Sequence, residues 1–305
     1  MSKTIYIEKT DSAATLTTFW YCSAWIMWAA EQLGFNHVYI NWEQGHNPPR
    51  ALQAYEDKEM GKVNNNQFEW FFKQPKIENP PPRNECKVWT WEKENWDSGI
   101  DVSPYQFMGQ PLSVIRDYYK KNLHFNDETN RRGQILVDKY RIDFSKIIGV
   151  SWRGTDVYLD GRPRVPIEVY FPFIDEILEK EPDCRIACTA EEMTILDPLF
   201  ARYGDRAFKI EEFISSPYQS KHNPERLSNV SGYERGLQPS LMVWLFSKCK
   251  YYIKNRSSTG AVASWLSDGK IISIFHPENL GFPANTNTIE IDGKQYTTEN
   301  KLIEQ

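Results

Sequence analysis

The segment Ile147-Ile-Gly-Val-Ser-Trp-Arg-Gly-Thr-Asp156 is the clearest indication of the fold of this chain. Its first part is a short, nearly continuous apolar run, which is typical of a strand buried on both faces of a parallel sheet. Arg153 and Asp156 follow the run directly. Open α/β sheets bind their ligands at the carboxyl ends of their strands, so the segment predicts a buried strand with a ligand site at its end.

Strands and helices alternate beyond this segment. Apolar runs at 185–189, 207–210, 251–254 and 271–275 are separated by helical patterns at 167–179, 191–203, 237–247 and 260–265. Such alternation is typical of a doubly wound parallel sheet. We therefore expect a Rossmann-like carboxyl-terminal domain over residues 146–290, followed by a tail over 291–305.

The preceding half of the chain has a looser pattern of the same kind. Strands at 5–7 and 38–42 enclose a helical run at 15–32, which predicts the start of a second parallel sheet. Residues 44–101 are irregular apart from a short strand near 88–91, and helices are predicted at 104–119 and 126–140. We expect an amino-terminal Rossmann-like domain over residues 1–145.

Composition narrows the class of protein. Among 305 residues, 40% are hydrophobic and 25% charged, as in an ordinary globular protein, and the net charge of −5 argues against nucleic acid as a partner. The five cysteines form no metal or disulfide spacing, and we interpret them as reduced thiols. No targeting segment or transmembrane span is predicted, so we expect a cytoplasmic protein of microbial or viral origin.

Arg153 and two carboxylates form the first candidate site. The planar guanidinium of Arg153 suits a phosphate, and Asp156 or Asp160 could remove a proton from a sugar hydroxyl. A surface ion pair between Arg153 and Asp156 is the structural alternative, and Asp160 begins an Asp-Gly turn pair. The pattern favours a phosphorylated sugar as the ligand.

A second candidate site follows the strand at 251–254. Ser257, Ser258 and Thr259 lead into a helix, whose amino end and hydroxyl groups could bind an anion. Helix capping explains the same residues equally well. His276 follows the strand at 271–275, where it could reach the nucleotide or cap the end of the sheet. Glu191 and Glu192 open a predicted helix, where they could bind the ribose or the sugar or could stabilise the helix dipole.

Four segments of the chain match known motifs in order. Ser151-Trp-Arg-Gly-Thr-Asp156 resembles the pattern His-x-Arg-Arg-Thr-Asp, and Val165-Pro-Ile-Glu-Val-Tyr170 resembles Pro-Ile-Glu-Glu-Tyr. Arg185-Ile-Ala-Cys-Thr189 is similar to a strand that ends in Thr-Asp. Leu245-Phe-Ser-Lys-Cys-Lys-Tyr-Tyr-Ile-Lys-Asn-Arg-Ser-Ser258 resembles Leu-Ser-x-Cys-Asp-x-x-Ile/Val-x-x-x-Ser-Ser. Through these segments the chain resembles the fucosyltransferases of the α-1,6, nodulation and protein-O-fucosyl type, over about residues 147–275 and only loosely in the first domain.

The resemblance implies a GT-B fold, in which two Rossmann-like doubly wound domains face a central cleft. It further implies an inverting glycosyltransferase that moves fucose, or a related deoxysugar, from GDP-fucose to a glycan acceptor without a metal or other cofactor. Arg153 would contact the β-phosphate, and Asp156, Asp160 and Arg153 would be the catalytic candidates. The donor-binding candidates are Ser151, Arg153, Thr189, Glu191, Asn255, Ser257, Ser258 and Thr259.

The aromatic residues of the irregular stretch have two possible uses. They could stack on an acceptor glycan, or they could fill the core of the first domain, which is the more common use of such residues. The residues are Trp70, Phe71, Phe72, Trp89, Trp91 and Trp96.

The chain departs from the family pattern at four positions. Ser151 replaces a histidine of the family pattern, Gly154 replaces an arginine and Ala190 replaces an aspartate. Met242 occupies the position at which the family has an aspartate that recognises guanine. These departures leave two alternatives open. One is a glycosyltransferase that uses a different nucleotide-sugar donor, and the other is a non-catalytic nucleotide- or sugar-binding module of the same fold.

Overall fold

The computed structural model shows a chain of two compact units. It describes residues 4–8, 16–42, 57–64, 66–77, 79–89, 107, 110–153, 165–190, 192–213, 230–255, 257–275, 286–291 and 294–299. The first unit comprises Met1–Arg132 with Ser228–Leu241, and the second comprises Gly133–Leu227 with Met242–Gln305. The domain boundaries predicted at residues 145 and 290 stay predictions.

The first unit is built around a parallel sheet. The elements of its first segment are β1 (Thr4–Glu8), α1 (Leu16–Gln32), β2 (His37–Asn41), α2 (Lys58–Val63), β3 (Phe72–Lys73), β4 (Lys87–Trp89), α3 (Leu112–Asn122), β5 (His124–Phe125) and α4 (Asp127–Tyr140). The last of these, α4, continues past the end of the segment at Arg132. Strand β1 lies between β2 and β4 and is parallel to both, while β3 and β5 form a separate antiparallel pair. The predicted β-α-β opening is therefore confirmed.

The second unit contains the larger sheet. The remaining elements of the chain are β6 (Ile147–Trp152), α5 (Phe171–Lys180), β7 (Arg185–Ala190), α6 (Asp197–Tyr203), β8 (Ala207–Lys209), α7 (Gly232–Phe246), β9 (Tyr251–Asn255), α8 (Ser258–Leu266), β10 (Lys270–Phe275), β11 (Thr286–Ile291) and β12 (Lys294–Glu299). Within the described residues the sheet has the order β11-β12-β10-β9-β6-β7-β8. Strands β10, β9, β6, β7 and β8 are parallel, as the alternating pattern predicts.

Strand β6 lies at the centre of this sheet and of its core. All six of its residues are buried, because β7 and β9 flank it and apolar side chains cover it. Gly149 allows the close approach of α7: a Cβ atom there would lie 2.7 Å from Cδ1 of Phe246. The apolar run that predicts a strand buried on both faces therefore does form one.

Three local features differ from the prediction. Strands β11 and β12 are antiparallel additions to the sheet, which is therefore mixed rather than entirely parallel. Within the described residues, the later part of the helix predicted over 104–119 is α3, which begins after Pro111 because proline lacks the amide hydrogen that a continuing helix needs. Residues 104–106 and 108–109 lie outside the described residues. The helix predicted over 191–203 is divided into a 3-10 turn, Met193–Leu196, and α6, which has Pro198 in its first turn.

None of the helices in the described part of the chain is both long enough and apolar enough to cross a bilayer.

Candidate functional site

Three parallel strands of the second unit end side by side. Ser151 on β6 is paired with Thr189 on β7 and with Lys254 on β9. Because the three strands run in the same direction, their carboxyl ends form one edge of the sheet. Three residues predicted from separate motifs, Ser151, Thr189 and Asn255, all lie within the last two positions of these strands and are all buried.

Asn255 holds the main chain of Arg153. The amide nitrogen of Arg153 donates to Oδ1 of Asn255 at 2.8 Å, and Nδ2 of Asn255 donates to the carbonyl oxygen of Arg153. Arg153 immediately follows β6, and its side chain is partly exposed. The candidate phosphate ligand therefore extends from a main chain that is hydrogen-bonded at both its amide and its carbonyl.

Two buried tyrosines support the end of β6. The hydroxyl of Tyr170 donates to the main-chain oxygen of Ser151 at 3.3 Å, and the hydroxyl of Tyr252 lies 2.7 Å from Oγ of Ser151. The ring of Tyr252 stacks on Phe246 with 5.1 Å between the ring centroids. Burial raises the pKa of Tyr170 well above its ordinary value, and burial also raises the pKa of Tyr252. Both tyrosines are therefore neutral hydrogen-bonding groups that add no negative charge to this edge.

The second candidate segment forms a capped helix start. Ser257 occupies the N-cap position of α8, and its Oγ accepts a hydrogen bond from the amide of Gly260 at 2.8 Å. Ser258 and Thr259 form the first turn, where Ser258 is partly exposed and Thr259 is buried. Capping is thus the observed role of the Ser257 side chain. The amino end of α8 follows β9 after two intervening residues, which places its positive dipole end beside the strand edge.

Lys254 is a buried cationic residue at this edge that the sequence analysis missed. Its side chain is only 6% exposed, although it lies on β9 next to Asn255. The side chain passes close to the first turn of α8, since a Cβ atom on Gly260 would be 2.8 Å from Cδ of Lys254. A lysine near the end of an apolar strand is the sequence signal that could have identified it.

A buried carboxylate follows β7. Glu192 is buried and precedes the turn Met193–Leu196, to which its side chain makes no capping hydrogen bond. Glu192 is therefore a further buried polar side chain at the same edge of the sheet.

Three predicted site residues lie outside the described residues. These are Asp156 and Asp160, the candidate bases, and Glu191, a candidate donor ligand. Their proposed roles stay predictions, as does that of His276, which also lies outside. Within the described part of the chain, no group of three acidic, histidine or cysteine side chains could hold a metal ion.

The aromatic residues of the first unit are used in its core where they are described. Trp70, Phe71 and Phe72 are all buried. Phe71 stacks on Tyr233 with 5.6 Å between the ring centroids. These three rings therefore pack inside the protein, as the alternative interpretation predicts. The Trp89 side chain, Trp91 and Trp96 lie outside what the structure describes.

The chain resembles known proteins in structure and not in sequence. No protein-family model and no curated protein matches it. Solved structures do match: NodZ α-1,6-fucosyltransferase in crystals soaked with GDP-fucose is 14% identical, with a TM-score of 0.51 over 92% of this chain and 98% of that one. NodZ from Bradyrhizobium is 14% identical, with a TM-score of 0.50 over the same shares of 92% and 98%.

A plant enzyme shows the same similarity. A substituted form of Arabidopsis thaliana FUT1 in complex with GDP is 12% identical, with a TM-score of 0.52 over 92% of this chain and 72% of that one. At such low identity the similarity concerns the fold. The chain has a fucosyltransferase-type α/β fold, and the predicted resemblance is confirmed at that level.

Proposed function

We propose that this protein is a glycosyltransferase that transfers fucose, or a related deoxysugar, from GDP-fucose to a glycan acceptor. The observation that carries the proposal is the pair of hydrogen bonds between Asn255 and the main chain of Arg153. They present a guanidinium from a fixed main chain at the carboxyl end of the central strand, where α/β sheets bind nucleotides. The fucosyltransferase-type fold supports the same conclusion.

The donor diphosphate is proposed to lie between Arg153 and the amino end of α8. A guanidinium binds two phosphate oxygens with its parallel N–H groups, and a helix amino end provides main-chain N–H groups and a positive dipole. Ser258 and Thr259 would add hydroxyl donors from the first helical turn. In this arrangement the protein itself provides the positive charge that stabilises a departing diphosphate, without a metal ion.

The proposed reaction is a single displacement with inversion. The acceptor oxygen forms a bond to the anomeric carbon, while the bond from that carbon to the β-phosphate oxygen breaks and its electron pair leaves with GDP. The hydroxyl proton passes to a carboxylate, for which Asp156 and Asp160 are the proposed candidates. Arg153 stabilises the negative charge that develops on the leaving diphosphate.

The proposal includes the GT-B organisation. Residues 146–290 would bind the donor, with contributions from Ser151, Thr189, Glu191 and Asn255, and residues 1–145 would bind the acceptor. This part of the proposal rests on the resemblance of four ordered segments and on the fold of the matching structures.

Calorimetry with a panel of nucleoside diphosphates tests the proposal. We expect GDP to bind and to raise the melting temperature, because a ligand that binds only the folded state stabilises it, by about 2.7 kcal/mol at one hundred times its Kd. UDP, ADP and CDP should bind much more weakly. Incubation with GDP-fucose and a fucose-accepting glycan should then release GDP and form a glycoside with inverted configuration.

Other results would select among the alternatives. Preferential binding of another nucleotide would assign a different donor, a result compatible with Met242 on α7, which has no carboxylate to read guanine. Nucleotide binding without transfer to any acceptor would indicate a non-catalytic binding module. A protein that binds no nucleoside diphosphate would contradict the proposal altogether.

A further inference from the structure

We infer that Asn255 is a positioning residue for Arg153. Its side-chain amide makes two hydrogen bonds to the main chain of Arg153 beyond the point where the main-chain pairing of β6 with β9 ends. This inference rests on the proposed function, in which Arg153 binds the donor diphosphate. Asn255 therefore acts on the donor through Arg153, because it fixes the main-chain position from which the Arg153 side chain extends.

The sheet register shows why a side chain is needed here. The pairing of β6 with β9 runs from Ile148 with Tyr251 to Ser151 with Lys254 and goes no further. Arg153 lies two residues beyond the last position of β6 that is paired with β9. A side-chain amide carries the same N–H donor and C=O acceptor as a peptide group. The Asn255 amide thus makes to Arg153 the two hydrogen bonds that a further pair of main-chain groups would otherwise make.

Asn255 is itself held in place. It is 5% exposed and is paired with Ile274 on β10. Tyr170 supports the other strand, since its hydroxyl donates to the carbonyl of Ser151 at 3.3 Å. The Asn255 side chain therefore joins the end of β9 to the main chain that follows β6, so the neighbouring strand determines the position of Arg153.

Fixing the main chain of Arg153 favours anion binding. A guanidinium that starts from an ordered main chain loses less conformational freedom when it binds a phosphate, so more of the interaction energy becomes affinity. The amide N–H and the carbonyl of Arg153 both bond to the Asn255 side chain, and the guanidinium is the group that we propose binds the diphosphate. The interaction also occupies the Oδ1 and one N–H of the Asn255 amide.

Hydrogen exchange tests the positioning directly and needs no ligand. In the intact protein we expect the Arg153 amide hydrogen to exchange slowly, because it is bonded to buried Oδ1 of Asn255. In Asn255→Ala we expect its protection factor to fall at least tenfold, while the β6 amides of Ile148 and Val150 keep theirs. Unchanged protection of the Arg153 amide would overturn the inference.

A double-mutant cycle tests the consequence for the donor. With GDP affinity as the readout, we expect Asn255→Ala to raise the Kd about tenfold and Arg153→Ala to raise it about thirtyfold, on the scale of charge-assisted contacts. If Asn255 acts through Arg153, the double variant should bind GDP no more weakly than Arg153→Ala alone. Effects that multiply instead would show that Asn255 contacts the donor independently and would overturn the inference.

Two further variants distinguish the loss of positioning from a general loss of folding. Asn122→Ala removes another buried asparagine, whose Nδ2 donates to the carbonyl of Tyr118 at 2.9 Å, and should leave both Arg153 protection and GDP affinity unchanged. Asn255→Asp replaces the donor amide with a carboxyl that donates only when protonated. Its GDP affinity relative to the wild type should therefore recover as the pH falls from 8 to 5, and a ratio independent of pH would count against the inference.

The two proposals fail in different ways. Wild-type protein that binds no GDP would contradict the proposed donor, and the exchange experiment would still decide whether Asn255 positions Arg153. Wild-type protein that binds GDP, together with unchanged Arg153 protection in Asn255→Ala, would support the proposed function and overturn the positioning role.

Discussion

The hydroxyls of Ser151 and Tyr252 lie 2.7 Å apart between two adjacent strands of the large sheet. Ser151 is the position at which the resembling pattern has a histidine. Here its hydroxyl is paired with a buried tyrosine, whose ring also stacks on Phe246. The side chain at this position therefore contributes to the packing beneath the site, whatever contact its main chain makes with a ligand.

Removal of the Tyr252 hydroxyl should destabilise the protein. Tyr252→Phe leaves the buried Oγ of Ser151 without this partner, and we expect the free energy of unfolding to fall by about 1–3 kcal/mol. Urea denaturation of Tyr252→Phe, Ser151→Ala and the double variant measures the effect. The double variant should be more stable than the sum of the two single losses predicts, and strictly additive losses would argue against the hydrogen bond.

Arg153 should contribute strongly to donor affinity. We expect Arg153→Ala to weaken GDP binding by about 2 kcal/mol or more, because it removes a charge-assisted contact to the diphosphate. Arg153→Lys should recover only part of this loss, since an ammonium group lacks the planar pair of donors. Arg131→Ala, which breaks an exposed ion pair with Glu128, is the matched control and should bind GDP normally. Equal calorimetric affinities for wild type and Arg153→Ala would remove Arg153 from the site.

Ser257 allows capping to be separated from anion binding. Ser257→Ala should lower the stability by about 1 kcal/mol through loss of the cap, whereas Ser257→Asp should retain the stability because aspartate caps helices equally well. The aspartate nevertheless places a negative charge where the diphosphate is proposed to lie. We expect Ser257→Asp to fold normally in urea titrations and to lose GDP binding in calorimetry. Normal GDP affinity in that variant would exclude the amino end of α8 from the phosphate site.

The two candidate bases can be distinguished by rate and affinity together. Replacement of the true base by asparagine should slow transfer about 100- to 10,000-fold, the usual contribution of a general base. GDP affinity should change little, because the base acts on the acceptor hydroxyl. Asp156→Asn and Asp160→Asn are compared by initial rates with saturating GDP-fucose. The variant that transfers at the wild-type rate excludes its carboxylate as the base.

Buried thiols should make the protein less stable at high pH. Burial raises the pKa of Cys184 to about 11 and that of Cys188 to about 12, so the folded state favours the neutral thiols. Their stabilising contribution is complete below the ordinary thiol pKa and is lost as the pH rises towards these values. Urea denaturation should show Cys188→Ala losing less stability than wild type between pH 8.5 and 10.5. Peptide mapping after alkylation at pH 8 should find both residues unmodified in the folded protein, and rapid modification would contradict their burial.

Local sequence patterns predicted much of the fold. The apolar run at 147–152 forms the fully buried strand β6, and the alternation that follows it forms parallel strands β7 to β10. Periodicity and chain-breaking residues act over a few positions, so they can be recognised without knowledge of distant partners. The same patterns did not predict β11 and β12, whose largely polar residues extend the sheet by antiparallel pairing of β12 with β10 and of β11 with β12.

The chemical groups at the strand ends follow from the chain alone: an arginine after β6, a threonine near the end of β7, and an asparagine at the end of β9 with a serine-rich helix start after it. The connections between these groups depend on the tertiary structure. Asn255 and Arg153 are 102 residues apart, and their two hydrogen bonds depend on β9 lying next to β6 in one particular register. The burial of Lys254 and the pairing of Ser151 with Tyr252 depend on the same alignment. A hydrogen bond requires a donor and an acceptor to be about 3 Å apart, and a position that accurate is set by packing across the whole sheet.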